Sequence, residues 1–170
     1  MFDKILVAVD NSTISSQVFE AGLSLAKATG GSLMLLHVLS SSSEDYISPF
    51  IYSDLKYNPN VEPILEDYRE QWQKYEQQGL ELLQSLTDEA TKAGVKTEFR
   101  QTRGNPGRKI CELAQTWSAE LIVVGSRGLT GLKEMFLGSI SNSVTHHAPC
   151  SVLTVREETN LDSNAPQEKD

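Results

Sequence analysis

Two cysteines, Cys111 and Cys150, are all the thiol chemistry that the 170 residues carry. They stand outside any Cys-x-x-Cys or metal-ligand spacing, so neither a disulfide scaffold nor a thiolate metal centre is expected; they read as small apolar side chains in a reducing compartment. No apolar run approaches the ~18 residues that a spanning helix needs, which removes the membrane as a partner. Met1 is followed by Phe2-Asp3-Lys4 rather than by a basic patch and a long apolar core, so no signal peptide is expected and the expected location is the cytoplasm. Basic residues number 15 against 23 acidic ones, a net charge of −8, and the basic face of a nucleic-acid binder is therefore not expected. His37, His146 and His147 lack the spacing of a triad or a metal set, and no catalytic or metal-ligating residue is assigned. The P-loop pattern Gly-x4-Gly-Lys-Ser/Thr is absent, as are His-x-Gly-His and Ser-Gly-Gly-x-Asp-Ser.

What is present is ordinary globular composition, 39% hydrophobic and 22% charged, in a chain of single-domain length. Lys4 to Val9 and Ser32 to Val38 are short apolar runs of the kind buried on both faces of a parallel sheet. Between them Val18, Ala21, Gly22, Leu25 and Ala26 recur at helical spacing, and Gly30-Gly31 supplies a stop. Asp10-Asn11-Ser12-Thr13 is cap and turn chemistry; Asp10 can cap the first helix, face a ligand, or both. A long helix is expected from about Pro63 to Ala93. Its stripe of Leu65, Tyr68, Trp72, Tyr75, Gly79, Leu82 and Leu86 reads as core rather than as a cofactor box. Strands follow at Val95–Thr102, Leu121–Val124 and Ser151–Val155. Asn105-Pro106 opens one further helix and Ser139–His147 forms another. His37, in a buried strand, is expected to be a core histidine with its polar atoms satisfied.

Strand and helix alternate throughout, which predicts a doubly wound α/β sandwich with a five-stranded parallel sheet. Ligands in such sheets sit beyond the carboxyl ends of the strands, where the strand order reverses. The domain is expected over 1–156. Residues 39–62 form an irregular aromatic and serine-rich insertion, either a flexible flap, a partner contact or a variable surface loop, and 157–170 form a disordered tail.

The most informative stretch follows the fourth strand: Gly125-x2-Gly128-x9-Gly138-Ser139. Glycine lets bare backbone approach a ligand, and Gly-Ser at a helix start offers N–H groups and a hydroxyl to an anion. In an acidic chain, phosphate has to be held by such local dipoles rather than by a global positive field.

This pattern, the opening Lys4-Ile5-Leu6-Val7-Ala8-Val9-Asp10-Asn11-Ser12, the turn Gly104-Asn105-Pro106 and the closing Ala148-Pro149-Cys150-Ser151-Val152-Leu153-Thr154-Val155 together resemble the universal stress protein family, its ATP-binding branch in particular. The resemblance covers about residues 2–156. It implies strand order 3-2-1-4-5, an adenine nucleotide alpha hydrolase-like three-layer sandwich, a homodimer and ATP in the strand-end crevice. It places Asp10 and Ser12 with the backbone of Val38 at the adenosine end, Gly125, Arg127 and Gly128 along ribose and phosphates, and Gly138, Ser139 and Ser141 on the phosphates. Arg127 can equally pair with a surface carboxylate. Asn11 departs from the glycine common there, and Gly131 is an extra glycine inside the motif. The function so implied is a nucleotide-dependent regulatory dimer, paired through 151–155, with slow or no hydrolysis; a Mg or Mn ion would be held through phosphate oxygens. A nucleotide-free dimerisation scaffold and a weak ATPase or nucleotidyl-transfer enzyme are the alternatives.

Overall fold

The computed structural model describes residues 2–40, 62–126 and 138–156. Five strands alternate with four helices among these residues: β1 (Lys4–Ala8), α1 (Ser15–Thr29), β2 (Ser32–Leu39), α2 (Glu62–Lys92), β3 (Thr97–Arg103), α3 (Pro106–Trp117), β4 (Leu121–Ser126), α4 (Ser139–His147) and β5 (Ser151–Arg156). All strands pair in parallel, in the order β3-β2-β1-β4-β5. The expected insertion and tail, and with them Arg127, Gly128 and Gly131, fall outside the described residues, except that Leu39 closes β2, Ser40 follows it and Glu62 opens α2.

Local chemistry sets the element ends. Gly30 takes the left-handed conformation, φ 71°, and its N–H returns to the Ala26 carbonyl, closing α1. The Asn105 side chain accepts a bond from the Arg108 N–H at 3.0 Å and Pro106 occupies the first turn, so α3 starts where the sequence predicts. Ser118, at φ 58°, ends α3 in the left-handed region without being glycine.

Alternation along the strands divides the core in two. Ile5, Val7, Leu33, Leu35, Leu121 and Val123 face α1 and α2, with Val18, Phe19, Leu83 and Ala90 packed onto them. Leu6, Met34, Leu36, Ile122 and Val124 face α3 and α4, meeting Ile110, Leu113 and Val144. Side chains of successive strand residues point to opposite faces, so the continuous apolar runs are what a sheet covered on both sides requires. The crossover between the two helical layers occurs from β3 to β4, and it leaves β1 and β4 as neighbours whose following segments depart to opposite faces. This is where a doubly wound sheet opens a crevice.

Close packing of α1 on β1 depends on Gly22. A Cβ there would stand 2.5 Å from Cγ2 of Val7, a fully buried side chain that has nowhere to go. Gly22→Val is expected to destabilise the fold by about 1–3 kcal/mol through overpacking. Thermal unfolding of single and double variants checks this: Val7→Ala should cost less in the Gly22→Val background than in the unaltered chain, and strictly additive losses would contradict the contact.

Candidate functional site

A crevice of about 360 Å³ lies at the carboxyl ends of β1, β2 and β4. Val9, Asp10 and Ser12 leave β1 along its floor; Val38 and Ser40 line it from β2, and Val124 and Gly125 from β4. Asn105, Pro106 and Ile110 of the α3 start form one wall, and Gly138, Ser139, Ile140 and Ser141 of the α4 start form another. Ile14, Ser15 and Val18 contribute from α1, and Tyr75 reaches in from α2. All the residues singled out in the sequence that are described by the structure — Asp10, Ser12, Val38, Gly125, Gly138, Ser139 and Ser141 — border this one space.

Asp10 does not cap α1. Its Oδ1 accepts from the Ser12 N–H at 2.9 Å and from the Ser12 hydroxyl, an Asx-type turn that holds the carboxylate at the mouth of β1. The Asp10 N–H donates to Ser15 Oγ at 3.0 Å, and α1 itself starts with no side-chain cap. The Val9 N–H is already tied to the Leu36 carbonyl at 2.9 Å.

The two glycines here have different reasons. Gly125 faces α1: a Cβ would meet Cγ2 of Ile14 and Cγ2 of Val18, each at 3.0 Å, so helix packing alone accounts for glycine at that position. Gly138 is the N-cap of α4 with φ −54° and ψ 157°, a conformation open to any residue. Backbone geometry does not call for glycine there, and no side chain caps the helix. The N–H groups of the first turn of α4 are left to whatever enters the crevice. Ser141 is buried and donates its hydroxyl to the Gly138 carbonyl at 3.0 Å, so it shapes the cap, whereas Ser139 is exposed.

Electrostatically the crevice differs from the rest of an acidic chain. The N-terminal ends of α1, α3 and α4 all border it, and each carries roughly half a positive charge from its peptide dipoles. Asp10 supplies the opposing negative charge on the β1 side. Among the described residues no group of three or more His, Cys, Asp or Glu could hold a metal ion, and no helix is long and apolar enough to cross a membrane. Cys111 and Cys150 are unbridged and half-buried, and burial pushes both thiols up.

Sequence reading missed three contributors. Asn105 and Pro106 were visible as a helix start, but not as a wall. Tyr75 belongs to a stripe that reads as core, yet it lines the crevice. Helical periodicity identifies the inward face of α2 without telling which part of it overhangs the sheet end.

A model of the universal stress protein family matches residues 1–156. The chain belongs to the universal stress protein family. Universal stress protein Sll1388 of Synechocystis is 36% identical over 156 residues, which is 91% of this chain and 98% of that one. A universal stress protein family member from Arabidopsis thaliana, solved with AMP bound, superposes with a TM-score of 0.60 at 25% identity, over 97% of this chain and 99% of that one. A universal stress protein solved in complex with cAMP gives 0.58 at 24% identity, over 91% and 98% of the two chains. The fold of this universal stress protein is the adenine nucleotide alpha hydrolase-like sandwich, with the strand order that the resemblance implied.

One expectation is corrected. His37 is a core residue, 1% exposed, but it is not satisfied: neither ring nitrogen has a hydrogen-bond partner among the described residues. Gln101 sits opposite it in the β2–β3 register; its amide nitrogen donates to the Glu76 carbonyl at 3.1 Å, and its amide oxygen likewise has no hydrogen-bond partner among the described residues. Burial holds His37 below the ordinary value of 6.5, opposed by the Asp10 carboxylate and the Gln101 amide. The unfolded chain therefore binds its proton first as pH falls, and stability drops below about pH 6.5 until the folded-state value is reached; above 6.5 the group has no effect. His37→Gln is expected to flatten that loss, which has a slope of at most about 1.4 kcal/mol per pH unit. Urea unfolding at pH 7.5 and 5.5 measures it, and an unchanged difference between variant and parent would contradict it.

Proposed function

We propose that this universal stress protein binds an adenine nucleotide, ATP in the first instance, in the crevice between β1 and β4, and acts as a regulatory homodimer with slow or no turnover. The observation that carries the reading is the bare N-cap of α4: glycine where the backbone does not require it, no capping side chain, and first-turn N–H groups opening onto a space bordered by two further helix starts. The first turn of α4, with Ser139, would hold phosphate; Asp10, Ser12 and the Val38 backbone would hold the nucleoside end; Arg127 and Gly128 would contact the ribose and phosphates. AMP and cAMP in structurally similar family members support an adenine nucleotide. A divalent ion would be held chiefly by phosphate oxygens and water. Bound nucleotide supplies charge and bulk at the sheet end, which a partner protein can sense.

Hydrolysis calls for a positioned water and a base near the terminal phosphate. Asp10, the one described carboxylate lining the crevice, is assigned to the nucleoside end. Calorimetry with ATP, AMP and cAMP should show saturable binding that Gly138→Val weakens at least about tenfold, since a branched side chain on the N-cap blocks the N–H groups. Absence of binding at millimolar ligand would favour the nucleotide-free scaffold, and rapid multiple-turnover ATP hydrolysis lost in Gly138→Val would favour an enzyme.

Pairing of two copies is assigned to β5, the sheet edge formed by Ser151–Arg156, where Leu153 is exposed and Val152 and Val155 are only half-buried. An unpaired apolar edge is a ready template for a second chain. Val152→Lys is expected to convert a dimer to monomer in sedimentation at micromolar concentration; a persisting dimer would place the interface elsewhere.

A further inference from the structure

We infer that Tyr75 is the platform on which the nucleobase stacks, so that this residue of α2 sets the preference for a nucleotide over a bare phosphate compound. The inference rests on the nucleotide reading above and goes further by naming where the base lies. Among the described residues that line the crevice, Tyr75 carries the only aromatic ring. It stands on the β2 side, edge-on to His37 with ring centroids 5.9 Å apart, on the α2 face of the sheet, whereas the next strand residue, Val38, packs on the opposite face. The α4 start lies beyond β4 and on the other face of the sheet; β2 and β4 themselves are two strand spacings apart across β1, about 10 Å. The crevice is thus two-ended: helix N–H groups and Ser139 on the α4 side, and the Tyr75 ring on the α2 side. Phosphate belongs at the first end by charge, and a flat apolar base at the second.

The ring is held in place before any ligand arrives. Trp72 packs on it at 5.7 Å with the planes tilted by 60°. The Arg103 guanidinium lies 5.0 Å over the Trp72 ring, and Glu76 grips the same guanidinium at 3.1 and 3.2 Å. Glycine at position 79 lets this part of α2 approach β2, since a Cβ there would run into the His37 ring. Two side chains, Trp72 and His37, thus pack against Tyr75, and Arg103 with Glu76 in turn covers Trp72. A core residue has no need of such support on the side that borders a cavity. Preorganised aromatic surface is what base stacking uses, because the ordering cost is already met in the free protein.

The test is calorimetric titration of the unaltered chain and of Tyr75→Phe, Tyr75→Leu and Tyr75→Ala with AMP, and with inorganic tripolyphosphate as competitor. Loss of the ring is expected to raise the Kd for AMP about tenfold or more, within the roughly 5- to 150-fold that base stacking carries. Tyr75→Phe should stay within about threefold of the parent, because the ring and not the hydroxyl stacks. Any affinity for tripolyphosphate should be unchanged by every Tyr75 variant. Tyr75→Leu keeps bulk against Trp72 and His37, and replaces Tyr75→Ala in the comparison if thermal unfolding shows the alanine variant to be misfolded. AMP binding unaltered in the leucine variant would overturn the stacking role while leaving nucleotide binding intact. Equal losses for phenylalanine and leucine, or equal losses for AMP and tripolyphosphate, would overturn it as well. No binding of AMP to the unaltered chain would remove both this inference and the reading beneath it.

Discussion

Every feature of the site depends on β1 being paired on both sides and covered on both faces. Ile5, Leu6 and Val7 are fully buried, with β2 on one flank and β4 on the other. A strand so placed can end only in a turn at the sheet edge plane, and its neighbours send their following segments to opposite faces. The crevice is the space left by that divergence. It needs no special residue to exist; apolar side chains at alternate positions of three strands create it.

The residues that line this space then give it character. The protein carries a net charge of −8, and a long-range field would repel a phosphate compound. Helix starts solve this locally, because the partial charge of a helix end acts within a turn of its terminus. Glycine at 138 matters in that setting less for conformational freedom than for the side chain that it lacks. Gly125, its counterpart at the end of β4, makes room for Ile14 and Val18 instead. Two glycines of one motif thus differ: Gly125 answers to packing within the chain, and Gly138, in the proposed reading, to access from outside it.

His37 shows how a packing solution leaves a chemical residue. The ring fills the space under Gly79 and beside Tyr75, and its shape suits the sheet–helix interface. Its nitrogens have no hydrogen-bond partner among the described residues. The Gln101 amide faces it from β3 while donating to α2. A neutral imidazole is the form that such surroundings favour, which ties this part of the core to acid.

Much was legible in the residues alone. Apolar runs bounded by Gly30, Gly94 and Asn105-Pro106 mark the elements to within a residue or two, because helix caps and strand burial are written in local sequence. The glycine spacing after β4 marks the segment that borders the crevice. Three things were decided only by tertiary structure. Tyr75 lies on an apolar stripe indistinguishable from core, and only the overhang of α2 beyond β2 and β3 brings it to the crevice. Gly125 sits in a ligand-like motif, and only the approach of α1 reveals its packing role. His37 reads as satisfied, and only the packed structure leaves its ring nitrogens without a partner among the described residues. Periodicity reports which face of an element is buried; what that face meets, and whether a polar atom there finds a partner, depends on segments distant in the chain.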